Sequence, residues 1–242
     1  MAHNLPNLTA RLKLVKSFVR EGRTVADIGT DHAYLPVYLV NSGICPHAVA
    51  CDIREGPLKR AKMTAEEYNA SGKIDFYLTD GLEGIKENQA DDIVIAGMGG
   101  ELISEIILKC NWIKNPEKHL ILQPMTAQED LRAFLCENGF KIDKEAVALE
   151  KQGQKCYLVI SAYYDGKKRC ADPYFCYTGL LAEGGQNELV YLKQKANSLY
   201  KKANGLKKAK SRSELDEREA EQALYLADKI KALCETIKDR EC

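Results

Sequence analysis

The sequence predicts an α/β fold: a doubly wound, mostly parallel seven-stranded sheet followed by a C-terminal antiparallel helical hairpin. Three observations carry this. Between Val25 and Tyr163 short β-like runs alternate with helical stretches, the signature of a parallel sheet with helices on both faces. The first run, VADI at residues 25–28, breaks into GTDHAYLP with carboxylates on both sides of Gly29, where a doubly wound sheet opens its binding crevice. Beyond residue 186, apolar residues recur every three or four positions in two stripes joined by a short basic turn, which predicts two antiparallel helices.

The expected strands are Val25–Ile28, Ala48–Asp52, Ile74–Leu78, Asp92–Ala96, Leu120–Gln123, Lys144–Leu149 and Cys156–Ala162. Helical periodicity occupies Tyr34–Asn41, Pro57–Asn69, Gly100–Leu108 and Ala127–Asn138, with Gly72 and Gly139 as stops. No long helix separates the last two runs, so they are expected to pair as an antiparallel hairpin at one sheet edge. Upstream, Leu8, Leu12, Val15 and Val19 share one helical face, predicting a helix that packs on the sheet; Arg11 on that helix is a candidate contact to substrate phosphate. Residues 164–186 read as a polar connector. Leu189, Leu192, Ala196, Leu199, Ala203 and Leu206, then Ala223, Leu226, Ile230, Leu233 and Ile237, form the two stripes, the first weakened at its end by Asn204 and Gly205.

Composition is that of an ordinary globular protein: 242 residues, 45% hydrophobic and 29% charged. That length accommodates one α/β domain plus an appendage. No apolar run approaches a membrane span, and Met1–Thr9 has no signal-peptide core. The nine cysteines are scattered, without CxxC or paired Cys/His spacing, so neither a metal site nor a disulfide framework is expected. Reduced thiols in a cytoplasmic protein are the plain reading.

The net charge of zero hides an asymmetry. Residues 1–150 carry 17 basic and 22 acidic side chains, residues 151–242 carry 18 and 13. Lys193, Lys195, Lys201, Lys202, Lys207, Lys208, Lys210 and Arg212 follow one another without an intervening acid. Such a block is either a solvated helix face or a surface for a phosphate backbone.

The residues around the first loop select among cofactors. A dinucleotide site wants a second glycine where Asp31 stands, because the backbone must approach a pyrophosphate. Asp31 would set a negative charge against that anion; a cationic ligand reverses the sign. S-adenosylmethionine, with its sulfonium and ammonium, therefore suits Asp27 and Asp31 better than NAD does. Asp52, ending the second run 25 residues after Asp27, is a ribose-hydroxyl acceptor or a cap for the next helix, with Ile53 beside it. Asp80-Gly81 ends the third run as a partner for an adenine amine or as a tight turn. Gly97-Met98-Gly99-Gly100 lets backbone approach a flat ligand, supplies anion-binding amides, or simply turns. His32 beside Asp31 is a general acid/base or a helix-start hydrogen bond. Tyr34 stacks on a base or packs in the core, and Gln123 is placed to read a base edge.

Taken in order, GTDHAYLP (29–36), DIREGPL (52–58), TDGL (79–82), IAGMGGELI (95–103) and LILQP (120–124) resemble the bacterial tRNA (adenine-22-N1)-methyltransferase family. QGQKCYLVISAYY (152–164) and the helical tail extend the resemblance over essentially the whole chain. One departure is Ala33, where the family commonly has glycine.

The resemblance implies a Rossmann-like class I methyltransferase domain over 1–163, the connector 164–186, and a coiled-coil-like hairpin over 187–242 that helps hold tRNA. It implies S-adenosyl-L-methionine bound at Asp27, Gly29, Asp31, Asp52, Asp80, Gly97 and Met98 and carries over no catalytic base; the residues themselves add Ile53 and Gly81 to the cofactor site and offer Asp31, His32 and Tyr34 as the catalytic candidates. From the charge pattern the candidate RNA contacts are Arg11, Lys193, Lys201, Lys202, Lys207, Lys208, Lys210 and Arg212; no metal is expected, and a monomer is favoured. The Asn/Asp-Pro-Pro-aromatic clamp of exocyclic-amine methyltransferases is missing after the fourth run, which points away from that amine. Two other readings share the pocket: a methyltransferase for a small molecule or protein, which the basic hairpin disfavours, and a non-catalytic RNA-binding protein, which would not need acids at three strand ends.

Overall fold

The computed structural model describes residues 5–152, 155–208 and 213–241; Lys210 and Arg212 lie outside the described residues. Seven strands form one sheet in the order β3-β2-β1-β4-β5-β7-β6. They are β1 (Val25–Ile28), β2 (Ala48–Asp52), β3 (Ile74–Leu78), β4 (Asp92–Met98), β5 (His119–Pro124), β6 (Phe140–Glu150) and β7 (Lys155–Tyr164). The first five are parallel, and β7 runs antiparallel to both its neighbours, β5 and β6. β1 and β2 are buried along their whole length, as strands covered on both faces must be.

Helices α1 (Ala10–Lys16), α2 (Tyr34–Asn41) and α3 (Glu55–Glu67) cover one face. The other face receives α4 (Gly100–Lys109), α5 (Gln128–Glu137) and the long pair α7 (Gln186–Lys208) and α8 (Glu214–Glu241). Leu189, Leu192, Leu226 and Ile230 of that pair share one apolar cluster with Ile95, Leu122 and Leu158 of the sheet. The hairpin is thus continuous with the core of the main domain.

Several boundaries differ from the sequence expectation for local reasons. β4 runs two residues past Ala96, because Gly97 at φ +82° forms a bulge that shifts register and lets the strand resume at Met98. β6 starts at Phe140 instead of Lys144, with its own irregularity between Ile142 and Lys144. α3 starts at Glu55 and ends before Asn69, whose φ of 57° stops it ahead of Gly72. Gly139, at φ +82°, does end α5 as expected. α7 continues through Asn204 and Gly205 to Lys208.

The connector is ordered by a buried ion pair. Arg132 on α5 and Glu145 on β6 have no exposed side-chain surface and meet at 2.7 Å. Arg132 also donates to the carbonyl of Cys176 at 2.8 Å, at the end of α6 (Pro173–Thr178), and Glu145 accepts from the Leu180 amide at 2.6 Å. A Cβ on Gly179 would lie 1.8 Å from Glu145 Oε2, so the chain passes this carboxylate only as glycine. Glu188 and Asn187, opening α7, then bond the backbone of Val147 at 2.9 and 3.0 Å.

Arg132→Ala should destabilise the fold by about 3–5 kcal/mol, because Glu145 stays buried without its partner. The double change Arg132→Met/Glu145→Leu should lose much less. Urea unfolding of both variants tests this; an Arg132→Ala protein as stable as the parent would show that the pair does not organise this region.

Candidate active site

The strand order reverses between β1 and β4, the switch point at which open α/β sheets bind ligands beyond their carboxyl ends. A cavity of about 360 Å³ lies there, within the range of small-molecule sites. Gly29, from β1, carries φ +76°, and a Cβ on it would fall 2.2 Å from Met98 Cε. The amides of Gly29 and Thr30 donate to the Cys51 carbonyl at 2.9 and 2.8 Å, folding the loop back onto β2. Ala33 follows as N-cap of α2 in the left-handed region at φ 52°. Glycine is at ease there and alanine is strained, which gives the departure noted in the sequence a physical meaning.

Each acid at a strand end has a distinct setting. Asp52 is buried, and its Oδ1 accepts from the Arg54 amide at 2.8 Å; the N-cap of α3 is Arg54, so Asp52 shapes the loop without capping the helix. Asp80 is half-exposed, with Lys109 of α4 3.2 Å away, and Gly81 turns at φ +56°. Asp27 is buried and is not among the residues that line the cavity. Burial pushes its carboxyl from the ordinary 3.8 up to about 6; Thr30 and the Arg11 guanidinium oppose the rise, and Asp52 adds to it.

The structure therefore brings Gly29, Asp52, Ile53, Asp80, Gly81, Gly97 and Met98 to one space. It places the other expected residues elsewhere. Asp31 does not line the cavity: it is 60% exposed and pairs with Arg60 of α3 at 2.5 Å, which holds its carboxyl below the usual range. His32 stacks on Tyr34 with ring centroids 5.3 Å apart and nearly parallel, while its Nε2 lies 3.5 Å from Asp31. These three form a half-exposed group outside the cavity lining.

Arg11 is turned into the crevice. Its Nη1 donates to Gln123 Oε1 at 2.9 Å and lies 3.2 Å from where a Cβ on Gly97 would be, while its guanidinium is 6.0 Å from the Tyr157 ring. Gln123 is completely buried, so it orients Arg11 and cannot read a base edge itself. Arg11 and the cavity thus flank the Gly97 bulge from two sides.

Sequence reading missed Arg54, Thr79, Leu102 and Ile106, all in the cavity wall. Leu102 and Ile106 are one helical turn apart on α4, immediately after the glycine run; that spacing was the available signal. Among the described residues no cluster of three or more His, Cys, Asp or Glu is placed to hold a metal, and no helix is long and apolar enough to cross a membrane.

Comparison with known proteins decides the family. Residues 8–160 match the model of a methyltransferase domain. The chain is 34% identical over 195 residues to the tRNA (adenine(22)-N(1))-methyltransferase of Bacillus subtilis, covering 81% of this chain and 79% of that one. The chain belongs to the tRNA (adenine-22-N1)-methyltransferase family. The crystal structure of the B. subtilis M1A22 tRNA methyltransferase TrmK superposes with a TM-score of 0.79 at 30% identity, over 96% of this chain and 99% of that one. M. capricolum TrmK, solved with S-adenosyl-homocysteine, gives 0.77 at 25% identity, over 95% of this chain and 99% of that one.

Ionised Asp27 carries a cost for this family member. A carboxyl whose folded pKa is raised loses stability as pH climbs from the unfolded to the folded value, here from about 4 to about 6, by about 3 kcal/mol in all. Asp27→Asn should therefore be more stable than the parent at about pH 8, with the difference shrinking below about pH 4. Denaturant melts at both pH values test the sign; a variant no more stable at the higher pH would show that Asp27 is not burdened by burial.

Proposed function

We propose that this protein transfers the methyl group of S-adenosyl-L-methionine to N1 of an adenine in tRNA, at position 22. The observation that carries the reading is the convergence of Gly29, Asp52 and Asp80, from three strand ends, on one cavity in a chain of this family. The residues fit the cofactor: a left-handed glycine removes side-chain bulk, a buried carboxylate suits a ribose diol, and Asp27 offsets the charge of Arg11.

When bound, the cofactor supplies an electrophilic methyl group on a sulfonium sulfur. Asp52 would accept the ribose hydroxyls and Asp80 with Gly81 would meet the adenine amine, with Ile53 supplying apolar surface in the same cavity. Gly97 and Met98 form the wall between cofactor and acceptor. Arg11, on the acceptor side of that wall, holds the target nucleotide through its phosphate, and the stacked His32–Tyr34 pair receives the extruded base. An adenine leaving its stack has a few kcal/mol to recover by such contacts.

Neutral adenine N1 presents a lone pair, so no proton has to be removed before transfer. His32 then needs no general-base role, in keeping with its half-exposed position. Orientation in a closed pocket supplies much of the acceleration, ~7–11 kcal/mol where alignment is near ideal. The hairpin contributes tRNA affinity, and an RNA of this kind places the reaction in the cytoplasm.

Labelled-cofactor transfer to unmodified tRNA should succeed, and a transcript with guanine in place of adenine 22 should not be methylated. Equal labelling of both transcripts would overturn the assignment of position. Asp52→Ala should weaken cofactor binding by about 3 kcal/mol, roughly a hundredfold, through two lost hydrogen bonds to a charged group, with the fold intact. Calorimetry showing unchanged affinity in a folded variant would remove Asp52 from the site. Cofactor affinity should also rise between about pH 5 and 7, as Asp27 gains the charge that a cation favours; a flat profile would assign Asp27 a purely structural part.

A further inference from the structure

The basic block of α7 does not remain one surface in the folded chain. Lys195 turns inward to Gln128 and Glu129 of α5 at 2.7 and 2.8 Å, and Lys202 crosses to Glu219 of α8 at 3.3 Å. A different set of lysines is gathered instead. Lys193, Asn197 and Tyr200 of α7 face Lys231, Glu235 and Lys238 of α8 across a groove of about 370 Å³. Lys231 and Lys238 lie outside the block that the sequence singles out.

Two features make this groove more than a solvated helix face. Three lysines stand against one glutamate, and among the described residues none of the three makes an ion pair, although Glu129, Glu183 and Glu219 take up other cations of the hairpin region. The floor is formed by Ala196 and Cys234, both small and buried, so an extended ligand can lie close to the helix axes. Tyr200, its hydroxyl bonded to Asp228 at 2.5 Å, is held at the wall.

Orientation adds a third argument. Tyr191 and Lys195 mark the side of α7 turned to the domain. At 3.6 residues per turn Lys193, Asn197 and Tyr200 fall on the opposite, outward side. Lys195 reaches the first turn of α5, which follows directly on β5, so this turn of α7 lies near the carboxyl end of β5. A row of unpaired ammonium groups with an amide and a phenol between them matches repeating phosphates with sugars between them.

We propose that this groove seats the sugar-phosphate backbone of the tRNA, with Lys193, Lys231 and Lys238 as its phosphate contacts; this rests on the tRNA-methylating reading above. Lys195 and Lys202 serve the fold and the hairpin instead.

The test is tRNA affinity of the full-length protein, by fluorescence anisotropy over a range of salt concentrations. The triple change Lys193→Gln/Lys231→Gln/Lys238→Gln should weaken binding on the order of tenfold or more near 0.1 M salt. It should flatten the log–log salt slope by about 2–3, since each lost phosphate contact removes about 0.7–0.9. Its cofactor affinity should match the parent's, which also reports that it is folded. Lys195→Gln should leave the slope unchanged. A triple variant with parental affinity and slope overturns the groove; if Lys207→Gln/Lys208→Gln flattens the slope in its place, tRNA binding by the hairpin stands and only its face is reassigned. A parent protein that binds tRNA without salt dependence overturns both.

Discussion

The buried pair between Arg132 and Glu145 joins the three parts of this molecule. One partner comes from α5, the other from the edge strand β6, and Arg132 Nη1 and Glu145 Oε2 bond the chain that leads to the hairpin. Such a pair adds little to net stability compared with well-packed apolar residues, since both charges lose their water. Its effect here is geometric. With Glu145 occupied, the connector can pass only at Gly179, and α7 must start where Glu188 reaches Val147. The angle of the hairpin against the sheet follows from these contacts.

The cavity depends on a different constraint, the tolerance of backbone at two points. Gly29 and Gly97 both hold positive φ, and Met98 occupies the space that a side chain on Gly29 would need. The bulge at Gly97 also gives the site two sides. The carboxylates of Asp52 and Asp80, at and beyond the ends of β2 and β3, lie toward one side; Arg11, from a helix outside the βα repeat, lies toward the other. Asp27 is between them, its charge disfavoured by burial and favoured by Arg11. A fold that places an acid where its ionised form is costly at neutral pH gives up stability at that position, a pattern found at functional sites.

The hairpin shows how tertiary contacts divide residues that look alike in sequence. Lys193 and Lys195 are two positions apart, yet helical geometry sends one outward to an open groove and the other to Glu129. A continuous basic block in a helix cannot face one partner, because its members point around the whole circumference. The relevant unit is the charge left unpaired after the fold has used the rest, and that includes lysines from the other helix.

The sheet was legible in the sequence because its strands are covered on both faces and so read as short apolar runs separated by helical periods, as at VADI and AVACD. The strand-end acids and the glycine loops were legible for the same reason: strand ends mark the crevice. Local pattern by itself therefore determined the element order, the cavity's main residues and the existence of the hairpin. It did not determine that Asp31 turns to Arg60, that Gln123 is fully buried beneath Arg11, or that β7 lies between β5 and β6. Nor did it separate the lysines that serve the fold from those left free. Periodicity reports which face of an element is buried; which partner meets a given side chain depends on residues tens to more than a hundred positions away, and only the tertiary structure brings those together.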